Sequence, residues 1–187
     1  MPKVKATAKI ENVVASAILS QTIDLFSVVK AFPHVEYRPE QFPGLVFRIK
    51  KPKTATLIFS SGKMVCTGAK SEKQSRKAVN KVIKELKSNG IIILGKPEIT
   101  IQNIVASANL YGRVDLEKSA YSLQRTMYEP EQFPGLIYRM DDPKVVILLF
   151  ASGKLVCTGA KKEEEVYRAV NKLGETLEKD GLIEYEE

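Results

Sequence analysis

Two stretches of this chain are nearly the same stretch written twice. Glu40-Gln41-Phe42-Pro43-Gly44-Leu45 returns 91 residues later as Glu131-Gln132-Phe133-Pro134-Gly135-Leu136. At the same offset Ser61-Gly62-Lys63 becomes Ser152-Gly153-Lys154, and Cys66-Thr67-Gly68-Ala69-Lys70 becomes Cys157-Thr158-Gly159-Ala160-Lys161. Ala78-Val79-Asn80-Lys81 matches Ala169-Val170-Asn171-Lys172. Of the 83 positions from 10 to 92, 39 are identical to their counterparts. Solenoid units repeat at roughly 20–50 residues and need several copies. Two copies at this longer period read instead as a duplicated half-domain with pseudo-twofold symmetry. The halves are 1–94 and 95–187, the second ending in a short acidic tail, and Gly95-Lys96-Pro97 supplies turn chemistry between them.

Each half parses in the same order. Residues 9–19, rich in Val, Ile and Ala, read as a strand, and 23–32 as a short helix with Asp24 near its start. Beyond the Phe-Pro-Gly turn, 45–50 reads as a strand. Pro52-Lys53 turns the chain into a second strand at 54–60, and Ser61-Gly62 connects that to a third at 63–67. Ser71 and Glu72 open a long helix to about Ser88, with Ala78, Val79, Val82, Ile83 and Leu86 at helical spacing, and Asn89-Gly90 closes it. Strands joined by tight turns are antiparallel, and helices on one face of such a sheet give an α+β architecture.

Side chains alternate between the faces of a strand. If the long helices cover one face, the other receives Leu57 and Phe59, then Lys63, Val65 and Thr67. From the first strand it receives Asn12, Val14 and Ser16. The second half repeats the set with Leu148, Phe150, Lys154, Val156, Thr158, Asn103, Val105 and Ser107. Cys66 and Cys157 fall on the helix side, as buried free thiols. The outward set holds no acid by this parity. It is too apolar for bare solvent and too polar for an ordinary core, which marks a binding surface. Packing against another sheet or a dimer partner would also satisfy it. The matched cations at its edges (Arg48, Lys53, Lys63 and their counterparts Arg139, Lys144, Lys154) favour a double-stranded polyanion. Paired amides and an absence of acids suit a shallow groove with many acceptors and few donors. The minor groove of A·T-rich DNA is such a groove.

Charge refines this. The net +7 divides unevenly: residues 1–94 hold 17 Lys/Arg against 6 Asp/Glu, residues 95–187 hold 12 against 16. A polyanion suits the first half, and the second half needs something besides phosphate. One histidine, His34, and two distant cysteines do not supply a zinc ligand set. No apolar run approaches the ~18 residues of a membrane span, and Met1-Pro2-Lys3-Val4-Lys5 lacks the apolar region of a secretory signal, so neither fate is expected.

The repeated Glu-Gln-Phe-Pro-Gly-Leu, the Phe-x-Ser-Gly-Lys hairpin, the following Thr-Gly-Ala-Lys, Asn12-Val13-Val14-Ala15 and Gln102-Asn103-Ile104-Val105-Ala106 together resemble the TATA-box-binding protein family, in its archaeal form. The resemblance runs over about residues 8–182, in register in both copies. It implies one pseudo-twofold DNA-binding domain: a saddle-shaped, curved, ten-stranded antiparallel sheet with helices on the convex face. It implies intercalating phenylalanines at Phe42, Phe59, Phe133 and Phe150. Groove contacts fall on Asn12, Val14, Leu57, Val65 and Thr67 and on Asn103, Val105, Leu148, Val156 and Thr158. Phosphate contacts fall on Arg48, Lys63, Arg139 and Lys154. Glu129, Glu131 and Gln132 match a contact with transcription factor B, where Arg38-Pro39-Glu40 of the first half has become Glu129-Pro130-Glu131. The implied partners are A·T-rich TATA promoter DNA, transcription factor B and the RNA polymerase pre-initiation complex. A homodimer of the free protein stays open. No cofactor, metal or catalysis is implied, and the location is nucleoid-associated cytoplasm if the source is archaeal, the nucleus if eukaryotic.

Two other classes compete. Saddle-like modules occur in some DNA glycosylases and ribonucleases, but the two halves consume the chain, Asp141-Asp142 has no counterpart in the first half, and Ser-Gly-Lys lacks the upstream glycine of a phosphate loop. A protein-interaction or small-ligand scaffold would use the same apolar face without steep salt dependence, whereas affinity for DNA falls with salt.

Overall fold

The computed structural model describes residues 5–186; Met1 to Val4 and Glu187, which carry part of the basic start and the last acid of the tail, lie outside the described residues. The chain forms two compact units, Asn12–Gln102 (the first unit) and Met1–Glu11 with Asn103–Glu187 (the second). Strand β1 (Thr7–Ile18) and strand β5 (Glu98–Asn109) both straddle the boundary.

The first unit contains helix α1 (Leu25–Ala31), strands β2 (Leu45–Lys50), β3 (Lys53–Ile58) and β4 (Lys63–Ala69), and helix α2 (Glu72–Ser88). Its strand order is β2-β3-β4-β1, all neighbours antiparallel. Both helices begin where a short polar side chain can satisfy a free backbone donor: Asp24 accepts from the Phe26 N–H at 3.1 Å, and Ser71 from the Gln74 N–H at 2.9 Å. The period-two pattern of β3 and β4 sends Thr54, Thr56, Ile58, Met64 and Cys66 inward. There they meet Ala78, Val79, Val82, Ile83 and Leu86 of α2 in one core. Each such apolar side chain contributes roughly 1.5–3 kcal/mol of burial.

The second unit holds β6 (Arg113–Val114), α3 (Leu116–Ser122), β7 (Thr126–Met127), β8 (Leu136–Met140), β9 (Val145–Leu149), β10 (Lys154–Ala160), α4 (Glu163–Lys179) and β11 (Ile183–Glu184). The order there is β5-β10-β9-β8-β7, with β11 and β6 as a separate antiparallel pair. Val166, Ala169, Val170, Leu173 and Leu177 of α4 are buried. Glu165, in the acidic first turn, accepts from the backbone N–H groups of Lys161 and Lys162 at 3.1 and 3.0 Å. The run Glu163-Glu164-Glu165 is thus a helix start, where negative charge is favoured.

The architecture is α+β, as the pattern predicts. The two runs hold nine strands among the described residues, not ten. The missing one has a local cause. β7 pairs with β8 through Thr126 and Met127, whereas the equivalent segment of the first unit makes only a single bridge, Glu36 to Val46. The β11–β6 pair also has no counterpart strand. At Gly112 an added Cβ would lie 2.7 Å from Ile183, so glycine admits that side chain. Gln21 occupies the matching position in the first unit. Its amide instead ties down the chain, donating to the Ile92 carbonyl at 2.8 Å and accepting from the Leu94 N–H at 2.7 Å.

Candidate nucleic-acid interface

On the face of the first unit turned away from α2, Asn12, Val14, Leu57, Val65 and Thr67 are all half-buried. Val46 and Leu57 are cross-strand partners, as are Leu57 and Val65. The second unit presents Asn103, Val105, Leu148, Val156 and Thr158 in the same half-buried state, with Val156 between Ser107 and Leu148. The structure therefore gathers each half's expected groove set on one sheet face, while Cys66 and Cys157 are fully buried on the other.

The asparagines are held by backbone. The register of β4 on β1 shifts near Val13, and Gly68 at that irregularity has φ +102°, a left-handed value glycine adopts without a Cβ clash. This turns the Gly68 N–H onto Asn12 Oδ1 at 2.7 Å. With its oxygen engaged, Asn12 donates through Nδ2 to Thr67 Oγ1 at 3.0 Å. The second unit reproduces the arrangement: the Gly159 N–H donates to Asn103 Oδ1 at 2.7 Å, and Asn103 Nδ2 donates to Thr158 Oγ1 at 3.2 Å. A side-chain amide has two N–H donors. One in each Asn is used by threonine, leaving a donor to offer to an acceptor brought against the face.

The phenylalanines form two matched pairs. Phe42 and Phe59 meet edge to face with ring centroids 5.9 Å apart, and Phe133 and Phe150 do so at 5.8 Å. Phe42 and Phe133 are 43% and 37% exposed, a large apolar cost unless something covers them. The glycine of each Phe-Pro-Gly makes room for its pair. A Cβ on Gly44 would stand 2.7 Å from Phe42 and 3.0 Å from Phe59; one on Gly135 would stand 2.8 Å from Phe133 and 3.0 Å from Phe150.

Around these faces Lys63, Lys154 and Arg139 are exposed. Arg48 is exposed too, but pairs with Glu36 at 2.8 Å. In the second unit Met127 replaces Glu36, and Arg139 is left without an ion-pair partner among the described residues. Glu129, Glu131 and Gln132 lie exposed on the loop before Phe133, where the Glu129 carbonyl accepts from the N–H groups of Gln132 and Phe133 at 2.9 and 3.0 Å. Arg38 closes the same turn in the first unit. Ser61 and Ser152 accept from the backbone N–H of Lys63 and Lys154, at 3.4 and 3.3 Å, which makes them turn residues. His34 is exposed and edge-on to Phe32 and Phe47.

One expectation needs correction. Strict alternation leaves the outward face without acid, yet Glu11 and Asn12 are both half-buried between buried Ile10 and Val13. Glu11 reaches Ser107, accepting from its hydroxyl at 2.8 Å. The corresponding Gln102 donates to Ser16 at 2.8 Å in the first unit. Two outward residues in succession break the period of two, and the only sequence signal for it is the repeated Glu/Gln-Asn dipeptide.

The described residues contain no cluster of three or more His, Cys, Asp or Glu able to hold a metal, and no helix among them is long and apolar enough to cross a membrane. Fold and face together define a duplicated α+β module with a polar-edged apolar sheet surface. The sequence matches the family described as transcription factor TFIID, or TATA-binding protein, over residues 7–89 and 98–179. It is 60% identical over 175 residues to the TATA-box-binding protein of Pyrodictium occultum, covering 94% of this chain and 88% of that one. It is 58% identical over 173 residues to that of Sulfolobus acidocaldarius, covering 92% and 88%. The structure matches Methanococcus jannaschii TBP with a TM-score of 0.83 at 52% identity, covering 92% of this chain and 98% of that one. The chain belongs to the TATA-binding protein family, whose members are transcription factors and not enzymes.

Proposed function

We propose that this protein is a general transcription factor that binds the minor groove of TATA-box promoter DNA, kinks it by phenylalanine insertion and recruits transcription factor B and RNA polymerase. The observation that carries the reading is the pairing, in each unit, of a phenylalanine couple, one ring exposed and one half-buried, with an Asn–Thr–Gly constellation that leaves an amide donor on the same face. Adenine N3 and thymine O2 are acceptors, and guanine adds a protruding donor that an N–H cannot accept, so such a donor favours A·T pairs. The half-buried Val14, Leu57, Val65 and their counterparts Val105, Leu148 and Val156 lie against a floor without charge. Minor-groove binding with apolar wedges and kinked DNA is the known mode of this family's TATA-binding members, and unstacking a base step costs a few kcal/mol. TA steps unstack at least expense, which favours TATA-like sites. In this reading Arg48, Lys63, Arg139 and Lys154 contact phosphates, which fixes register without reading sequence.

The loop of Glu129, Glu131 and Gln132 is assigned to transcription factor B. Its turn is the same as that of Arg38, so the difference between the halves is one of charge on a shared scaffold, and this gives the complex a direction on DNA. Energy transfer between the ends of a TATA duplex tests the DNA reading: transfer should rise on that duplex, not on a G·C-rich one, and the effect should weaken with salt. No rise on either duplex would shift the apolar face to a protein partner. Phe133→Ala with Phe150→Ala should reduce bending more than Lys154→Ala; equal losses would sink the wedge. Glu129→Arg with Glu131→Arg should abolish transcription factor B recruitment and leave TATA binding intact, and a collapse of DNA binding would refute the loop assignment.

A further inference from the structure

The surplus positive charge of the first half does not lie mainly on the sheet face. It lies on α2. That helix carries Lys73, Arg76, Lys77, Lys81, Lys84 and Lys87 against only Glu72 and Glu85. At ~3.6 residues per turn the six cations fall within about 140° of the helix circumference, centred opposite the buried stripe Ser75, Ala78, Val79, Val82, Ile83 and Leu86. The stripe is about 21 Å long at ~1.5 Å per residue. Lys81 donates to the Lys51 carbonyl at 2.6 Å, while Lys73, Lys77, Lys84 and Lys87 are exposed and in no ion pair among the described residues. The matching stripe of α4 reads Glu164, Tyr167, Arg168, Lys172, Glu175 and Glu178, and its Arg168 is paired with Asp142 at 2.9 Å. The repeat has therefore kept the buried side of this helix and changed the charge of its outer side.

We infer that the outer face of α2 is a second, sequence-independent site for a nucleic-acid duplex, on the side of the first unit away from the proposed groove-binding face. Like charges held this close repel one another, and a polyanion relieves that repulsion while releasing condensed counterions. Duplex DNA carries one charge per ~1.7 Å of axis, so a stripe of this length spans enough phosphate to engage every cation in turn. An acidic protein segment is the other class of anion. Protein interfaces draw their affinity from buried aromatic and aliphatic anchors, and no apolar residue of α2 is among the exposed large hydrophobic side chains, whereas α4 exposes Tyr167. Cations without anchors favour phosphate. The protein would then hold two duplex segments at once, one read for sequence and one not.

The test saturates the full-length protein with an unlabelled TATA duplex, then titrates in a fluorescent G·C-rich duplex and follows its anisotropy across a salt series. Uptake should persist in the presence of the TATA duplex and weaken steeply with salt. Lys77→Glu with Lys84→Glu should lower uptake about tenfold or more while TATA binding is unchanged. Because those side chains are exposed, the variant should keep its melting temperature. A gain-of-charge variant, Glu164→Lys with Glu175→Lys on α4, should raise uptake. No uptake with the TATA duplex bound would overturn the proposal, as would uptake that ignores the α2 reversal. Tight, α2-dependent binding of polyglutamate in place of the G·C-rich duplex would overturn it in favour of an acidic protein. If the TATA duplex itself fails to bind, the groove-binding reading falls, and the charge-reversal arm still decides this one.

Discussion

On their sheet faces the two units are nearly interchangeable. The phenylalanine centroids differ by a tenth of an ångström, 5.9 against 5.8 Å, and both asparagines receive a glycine N–H at 2.7 Å. On their helix sides and edges they diverge: α2 is a basic stripe and α4 an acidic-leaning one, and Arg48 is paired where its counterpart Arg139 is not. The difference teaches where a duplicated fold keeps its symmetry. On the proposed reading, a nearly twofold ligand such as the groove of a duplex holds both sheet faces to one chemistry. The helices and loops carry no such matched chemistry in the two units.

That contrast can be broken deliberately. The largest effect should come from Gly62→Ala or Gly153→Ala. Both glycines have positive φ, and an added Cβ would stand 2.0 Å from the Gln21 carbonyl oxygen or 2.2 Å from that of Gly112. Each should cost about 3 kcal/mol in denaturant unfolding, by the same amount in either unit. A pair of unequal losses would show that the matching turns are not equivalent. Next, Phe42→Ala with Phe59→Ala should weaken TATA-duplex affinity about as much as Phe133→Ala with Phe150→Ala, roughly tenfold or more in each case. A loss confined to one unit would mean that only one couple inserts. A smaller, asymmetric effect is expected at the edge: Arg139→Ala should weaken binding about threefold and Arg48→Ala less, because Arg48 must first leave Glu36. Glu36→Gln should then raise affinity slightly, and equal arginine losses would remove the asymmetry.

A further effect concerns pH. Burial, with a lesser contribution from Glu165, pushes the Cys157 thiol up to about 11 from an ordinary 9.0. Burial raises Cys66 as well. The folded protein keeps a proton that the unfolded chain releases first, so stability should fall as pH rises from about 9 to 11. Cys157→Ala should flatten that part of the pH–stability curve, and an unchanged slope would show that the thiol is not its source.

Much of this was legible in the residues. The strand 45–50 and the helix from Glu72 to Ser88 have the bounds their patterns predict, because Ser71 and Asn89-Gly90 are explicit start and stop chemistry. The face assignment of Leu57, Val65, Cys66 and their counterparts follows from alternation alone. What escaped was decided by contacts distant in sequence. β6 and β11 exist because Gly112 leaves space for Ile183, and β7 has two pairs where the first unit has one bridge. The outward turn of Glu11 breaks the alternation of β1, which no propensity announces. The Arg48–Glu36 pair joins two residues whose spacing carries no signal of its own.

The glycine beneath each phenylalanine couple has a consequence of its own. Each ring pair rests on a missing methyl group: a Cβ at Gly44 or Gly135 would stand within 3.0 Å of both rings of its couple, so the rings would have to move. Replacement there would act like a jammed hinge, with both aromatic residues intact in the sequence and their packing on each other disturbed. Alanine at either glycine would thus disturb the proposed wedge without changing either of its aromatic residues.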